Sequence, residues 1–326
     1  MGLAAVAVPR DSRWTLFGIG LRVVDKGFVG GRKSHSICAR RSPTENLKDA
    51  GSIPATSTKT YRTTEAIMDL FEALGFTWDR TEFPKTVPAH SVERACFRFH
   101  KMLPEFVWDA AMLEGNPFTF PEVQTLLDGI TVGGHKLSDQ EQILNLAESS
   151  RELLTLVKTQ RFKLDKSTFC ELHGIVARNE ALEWGHFRGE GHETNYTPDV
   201  SLGERGRYTP PPTLLGAAEL NRLFARGVAA LEESRLSAFE KGLVFFLFGA
   251  LQQFFFDGNK RTSRLMMNGI LMSHGIDAIS IPAAQAQSFN EKMVRFYLTK
   301  DASEMIGFLM DCHPELTVLP DEGSRE

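Results

Sequence analysis

The sequence predicts an all-α fold carrying one small β-hairpin. Two observations lead there. Apolar residues recur at i, i+3, i+4 and i+7 in one segment after another from about residue 63, and one Gly/Pro-rich stretch, 185–213, breaks that rhythm. Composition agrees: 42% of the 326 residues are hydrophobic and 24% charged, enough chain to bury a core without disulfides or metals.

Taken in order, residues 63–74 place Ile67, Leu70, Phe71 and Leu74 on one helical stripe. Residues 91–113 carry Cys96, Phe97, Met102, Leu103, Phe106, Val107 and Met112, with Pro104 marking a boundary or kink. Ser138-Asp-Gln-Glu141 reads as a capping box opening a helix that buries Ile143, Leu146, Leu153 and Leu154. Asp165 starts the next helix, through Phe169, Leu172 and Val176. After the 185–213 loop, helices resume over 214–231, from the capping box Ser237-Ala-Phe-Glu240 to about Gln253, and over 259–274. Residues 276–282 read as a short strand. Ser288-Phe-Asn-Glu291 caps a further helix, and 303–312 is the last. No self-similarity at 20–50 residues is visible, which excludes a solenoid. The domain reading is an extension over 1–62, an N-terminal helical region over 63–136, a core domain over 137–315 and a tail over 316–326.

The extension is compositionally distinct. Residues 1–41 hold eight Lys/Arg and two acids, among small and turn-forming residues. The apolar run 3–8 is too short for a secretory signal, and a transit-type presequence fits weakly. A disordered tail fits the composition. The stretch 41–59 also resembles a transfer-RNA gene read as protein, which would make the extension spurious and Met68 a candidate start.

Several function classes are excluded. A net charge of −4 argues against a general nucleic-acid binder. No run of 18 apolar residues exists, so no membrane-spanning helix is expected. Cys38, Cys96, Cys170 and Cys312 are widely spaced with no CxxC pair, which excludes a cysteine zinc site and fits a reducing cytoplasm. No His/Asp/Glu set has zinc-ligand spacing. Met266, Met267 and Met272 read as core filler, His173 as a satisfied core or rim histidine, and the Phe-rich run at 245–256 as packing rather than adenine recognition.

Chemistry concentrates in Gln253-Phe-Phe-Phe-Asp-Gly-Asn-Lys-Arg-Thr-Ser-Arg264. Gly258 permits a tight turn between two helices. The second helix presents unpaired N–H groups and the positive end of its dipole, an environment that attracts anions, and Lys260, Arg261 and Arg264 reinforce it. Asp257 supplies a hard oxygen suited to Mg²⁺. The plainer reading is an ordinary interhelical turn with solvent-facing arginines.

This stretch resembles the signature of the Fic (Fido) family, His-Pro-Phe-x-Asp/Glu-Gly-Asn-Gly-Arg-x-x-Arg, through Phe255, Asp257, Gly258, Asn259, Arg261 and Arg264. Trp184-Gly-His-Phe-Arg188 followed by Tyr208-Thr-Pro-Pro-Pro212 is similar to the family's flap, making Gly185, Arg188 and Tyr208 candidate contacts for a protein target. Ala110-Ala-Met-Leu-Glu-Gly115 is similar to its inhibitory motif, Ser/Thr-x-x-x-Glu-Gly/Asn. The matching segments lie in order over 105–312.

The resemblance implies a Fic-type helical bundle with a hairpin flap, ATP and Mg²⁺ as cofactors, and transfer of AMP to a protein hydroxyl. It assigns Asp257 to Mg²⁺, Gly258, Asn259, Lys260, Arg261 and Arg264 to the nucleotide, and Glu114 to competition for Arg264. A helix C-cap is the alternative for Glu114. It also implies a bacterial cytoplasmic protein, with neither membrane nor nucleic acid as partner, and leaves room for a homo-oligomer. Three departures stand out. Gln253 occupies the place of the family's catalytic histidine, and an amide cannot accept a proton near neutral pH; a general base is worth roughly 10²–10⁴-fold. Lys260 replaces the second glycine, as in the Doc branch, whose members phosphorylate their targets. Phe254 replaces the proline. His186 and His192 lie where either could approach the vacant base position. The readings left are a transferase with altered chemistry, a pseudoenzyme acting by occupancy and partner binding, and a Doc-like kinase.

Overall fold

The computed structural model describes residues 69–316, which fall in one compact unit. The expectations for 1–62, for Ile67 and Met68, and for the last ten residues lie outside the described residues.

Eleven helices and a two-stranded hairpin make up the described chain. They are α1 (described over 69–74), α2 (Val92–Lys101), α3 (Leu103–Met112), α4 (Phe120–Leu127), α5 (Leu137–Lys158), α6 (Lys166–Val176), β1 (Val200–Ser201), β2 (Arg207–Tyr208), α7 (Ala218–Glu233), α8 (Ala238–Gln252), α9 (Asn259–Ser273), α10 (Ala286–Thr299) and α11 (Ser303–Asp311). Among the described residues, no helix is long and apolar enough to cross a membrane. The strands pair antiparallel, with Val200 opposite Tyr208.

The core is built on α8 and α9. Every residue of α8 from Leu243 to Gln252 is buried, as is every residue of α9 from Arg261 to Met272. Helix α8 is apolar on all sides from Leu243 to Leu251, which puts it at the centre of the fold, and α9 packs along it. The two approach closely because Gly249 faces Ser263: a β-carbon at Gly249 would lie 2.1 Å from Ser263 Oγ. Met266, Met267 and Met272 are fully buried. Behind the 253–258 loop, Phe169, Phe187, Phe224, Phe254 and Phe255 pack ring on ring, with Phe187 and Phe254 stacked at 4.9 Å. The phenylalanine-rich run is therefore packing.

Caps explain most helix starts. Ser91 and Asp165 accept from the backbone N–H three residues on. Pro104 sits in the first turn of α3, and the chain breaks at Met102. On α2, Ala95, Cys96 and Phe99 face inward, whereas Phe97 is 58% exposed.

Several expectations are corrected. Helix α5 starts from Lys136, so Ser138 lies inside its first turn. Ser237 caps α8, but the Glu240 carboxylate takes Trp78 Nε1 at 2.9 Å and Arg80 Nε at 2.7 Å rather than closing the box. Ser288 lies inside α10, which begins at Ala286. Helix α7 begins at Ala218, after a kink at Gly216 and Ala217 with positive φ. Residues 276–282 form no strand: the Asn268 side chain accepts from Ile279 N–H and donates to Ile279 O, both at 2.9 Å, taking the place of a neighbouring strand. Helix α4 was not anticipated, although Thr119-Phe-Pro-Glu122 forms a complete capping box.

Candidate active site at the start of α9

The loop between α8 and α9 is held from three sides. Gln253 ends α8 in the left-handed region, at φ 51°. Its carboxamide turns inward: Nε2 donates to Ala250 O at 2.6 Å and Oε1 accepts from Asn259 Nδ2 at 3.0 Å. Asn259 is used up within the loop, since Oδ1 accepts from Phe255 N–H and Nδ2 also donates to Phe255 O. Gly258, at φ 71°, accepts from both the N–H and the hydroxyl of Thr262 at 2.9 Å. Only glycine suits this bend, because φ is positive and a β-carbon would meet Ala177 Cβ at 3.3 Å.

His173 is the second support, fully buried and stacked on Phe255 at 3.6 Å. Its Nδ1 accepts from Gly185 N–H at 3.1 Å, so Nε2 carries the proton and donates to Asp257 O at 2.9 Å. Burial drives its pKa down to about 3, against the weaker opposing effect of the Asp257 bond.

Arg188 is the third. Its guanidinium is fully buried and donates to Gln253 O at 2.6 Å, Thr213 Oγ1 at 2.7 Å and Pro211 O, while its backbone N–H bonds Phe254 O. Burial lowers its pKa to about 10. This corrects the assignment of Arg188 to a target-facing flap: it braces the loop from inside. Gly185 likewise lies against His173, outside the hairpin. Of the three flap candidates, only Tyr208 is in the hairpin, stacked on Tyr297 at 5.1 Å with Lys300 Nζ 3.6 Å from its ring centroid.

The charged groups gather at the first turns of α9. The Asp257 side chain is 62% exposed, with Oδ1 accepting from Gly258 N–H and lying 3.6 Å from Arg261 Nη2. Arg261 and Arg264 are buried, contrary to the solvent-facing alternative. Arg261 Nη1 meets Glu180 Oε2 at 2.6 Å, and Arg264 Nη2 meets Glu114 Oε1 at 3.5 Å. Glu114 follows the end of α3, in a turn where Gly115 has φ 77°, so it belongs to the helix-terminating turn and still reaches the arginine. Burial favours its neutral form, but Lys260, Arg264 and Arg261 outweigh that and leave its pKa below the ordinary value. Asp109 ties α3 down through Ser280 Oγ and Ala283 N–H, both at 2.8 Å. Arg264 Nη1 is buried without a hydrogen-bond partner, beside a void of about 40 Å³ that Ala110 also lines.

Lys260 lines a separate cavity of about 500 Å³ between the hairpin and α10, walled by Leu202, Arg205, Asn290 and Tyr297. That is an ordinary ligand-pocket size. The arrangement thus joins an exposed carboxylate able to hold a divalent cation, a helix start rich in cationic donors, and an adjoining cavity. His186 is paired with Glu183 Oε2 at 3.2 Å.

Sequence reasoning missed Glu180, which carries no motif and meets Arg261 across 81 positions. It also missed that His90, Asp277 and Glu315 bring candidate ligand atoms within 4.8 Å of one another. There, Arg98 bridges Asp277 and Glu315 and Arg94 reaches Glu315 at 3.1 Å, so the carboxylates are already charge-balanced.

No family model matches the chain. Its sequence is similar to the protein adenylyltransferase Fic of Drosophila grimshawi, 23% identical over 216 residues, and of Drosophila melanogaster, 24% identical over 217 residues. Each match covers 64% of this chain but only 41% and 40% of those proteins, so the chain spans about two fifths of their length. Three solved structures share the fold. A Fic domain containing signaling protein from Bacteroides thetaiotaomicron has a TM-score of 0.56 at 18% identity, covering 77% of this chain and 92% of that one. Fic-1 from C. elegans has a TM-score of 0.53 at 18% identity, covering 80% and 71%. A Fic family protein from Desulfovibrio desulfuricans has a TM-score of 0.52 at 16% identity, covering 77% and 73%. The helical architecture and the hairpin are thus those of the solved Fic-family structures, and the sequence resembles protein adenylyltransferase Fic over 64% of the chain.

Proposed function

We propose that the chain is a nucleotide-binding Fic protein that takes ATP with Mg²⁺ at the start of α9 and transfers AMP to a protein hydroxyl slowly, for want of a base. The observation that carries this reading is the contrast within one loop. Gln253, at the base position, has its carboxamide engaged with Ala250 O and Asn259, while Asp257 stands exposed 3.6 Å from the buried Arg261, with the buried Arg264 one turn further along α9. In this reading Asp257 holds Mg²⁺, which would offset phosphate charge. Arg261 and Arg264 grip phosphate oxygens once freed from their carboxylates, and the orphaned Arg264 Nη1 is a donor already in want of an acceptor. The cavity beside Lys260 takes the nucleoside, and the target's main chain docks along the hairpin. Glu114 opposes the nucleotide by holding Arg264.

The inward Gln253 also favours a second reading, a pseudoenzyme that binds nucleotide and partner without chemistry. One experiment separates them. The protein is titrated with Mg–ATP, then incubated with α- or γ-labelled ATP and lysate, alongside Gln253→His. Weak α-label transfer that rises roughly 10²-fold or more in the variant supports slow AMP transfer. Binding with no transfer by either form supports the pseudoenzyme, and γ-label transfer alone a kinase. No binding at all, by Glu114→Gly included, would sink the whole proposal.

A further inference from the structure

The two arginines of the site are not held alike, and the difference implies a second control point. This inference rests on the reading of the α9 start as a Mg–ATP site. Glu114 approaches Arg264 at 3.5 Å, whereas Glu180 meets Arg261 at 2.6 Å, a short charge-assisted contact. Arg261 is 3% exposed and Glu180 14%, so solvent screens the pair little. Glu180 is itself oriented. Gln142 Nε2 donates to the same Glu180 Oε2 at 3.0 Å, and Gln142 Oε1 accepts from Asn116 Nδ2 at 3.0 Å. Asn116 is buried and stands two residues beyond Glu114, in the turn that ends α3. A chain of contacts thus runs from the turn carrying Glu114, through Asn116 and Gln142, to Glu180 and Arg261.

Two features argue against a purely structural pair. Glu180 Oε1 is buried with no hydrogen-bond partner, an arrangement that stability alone would not favour. The second nitrogen of the Arg261 fork is turned toward Asp257 Oδ1 at 3.6 Å, so both ends of the fork face carboxylates. A polyphosphate approaching this turn would find Arg261 engaged and Glu180 contributing negative charge beside it.

We propose that Glu180 is a second brake on the anion site. It competes with a nucleotide's phosphates for Arg261 as Glu114 does for Arg264, and the Asn116–Gln142 relay holds it in the braking position. Displacing the turn at 114–116 would therefore loosen both arginines together.

The test measures Mg–ATP affinity and the Mg–ATP-induced rise in melting temperature for the full chain, Glu180→Gln, Gln142→Leu and Glu114→Gly. The brake requires Glu180→Gln to melt lower without ligand yet bind Mg–ATP about tenfold more tightly, with a larger ligand-induced rise. Gln142→Leu, which removes no charge, should reproduce part of the gain and stands in if Glu180→Gln fails to fold. Unchanged or weaker binding by these variants, while Glu114→Gly binds Mg–ATP, overturns the brake and leaves the nucleotide site standing. If no form binds Mg–ATP, Glu114→Gly included, both readings fall.

Discussion

Replacing Glu114 by Gln tests the site at its most exposed assumption, that one carboxylate and a nucleotide compete for Arg264. The substitution keeps the shape and removes the charge. The Glu114–Arg264 contact of 3.5 Å carries a gross Coulomb attraction of roughly 5 kcal/mol at an effective dielectric constant of about 20. Much of this is offset by the cost of keeping both groups from water. A coupling of about 1–3 kcal/mol between latch and ligand remains, a 5–150-fold gain in Mg–ATP affinity. The pair is engaged at neutral pH: the lowered carboxyl pKa means its contribution is present above about pH 4.5 and is lost as pH falls through the folded value. The assay is calorimetric titration with Mg–ATP at two ionic strengths. A buried pair predicts a gain that changes little with salt. Equal or weaker affinity in the variant would refute the competition and leave Glu114 as the end of a helix.

Three further outcomes follow from the scaffold. Arg188→Met should strip donors from Gln253 O, Pro211 O and Thr213 Oγ1, costing about 3–5 kcal/mol, or roughly 10 °C of melting temperature; a loss under 2 °C would contradict the brace. His173 is held neutral with a folded pKa of about 3, so the unfolded chain binds its proton first and stability falls as pH drops below about 6.5. His173→Asn should therefore flatten urea midpoints between pH 6 and 4 relative to the parent, the difference approaching about 1.4 kcal/mol per pH unit. Gly249→Ala forces a methyl group to within 2.1 Å of Ser263 Oγ and 3.0 Å of its Cβ, and overpacking of about 1–3 kcal/mol should exceed the helix-propensity gain; a variant as stable as the parent would mean the contact relaxes without cost.

The architecture was legible where local chemistry decides it. The α8–loop–α9 unit could be read because Ser237 caps, α8 is apolar from Leu243 to Leu251 and Gly258 bends the chain. Helix α4 was equally readable from its Thr119–Glu122 box and the short Phe120, Val123, Leu127 stripe. Residues 276–282 have the composition of a strand, and only the distant Asn268 amide shows why no strand forms. At the site, the motif marked Asp257, Arg261 and Arg264 but not what restrains them. Arg188 and Glu180 are charged residues that sequence places at the surface by default, and their burial arises from contacts 65 and 81 positions away. Asn259 shows the opposite limit: a motif residue expected to reach outward spends its amide on the loop itself.

The Tyr208 stack has a mechanical consequence. Tyr297 lies under that ring and also donates its hydroxyl to Ala250 O, the same carbonyl that receives the Gln253 amide. The hairpin therefore cannot lift as a free arm: it must peel from the Tyr297 ring or carry α10 along. A force applied along β2 is felt at the last turn of α8, one contact from Gln253.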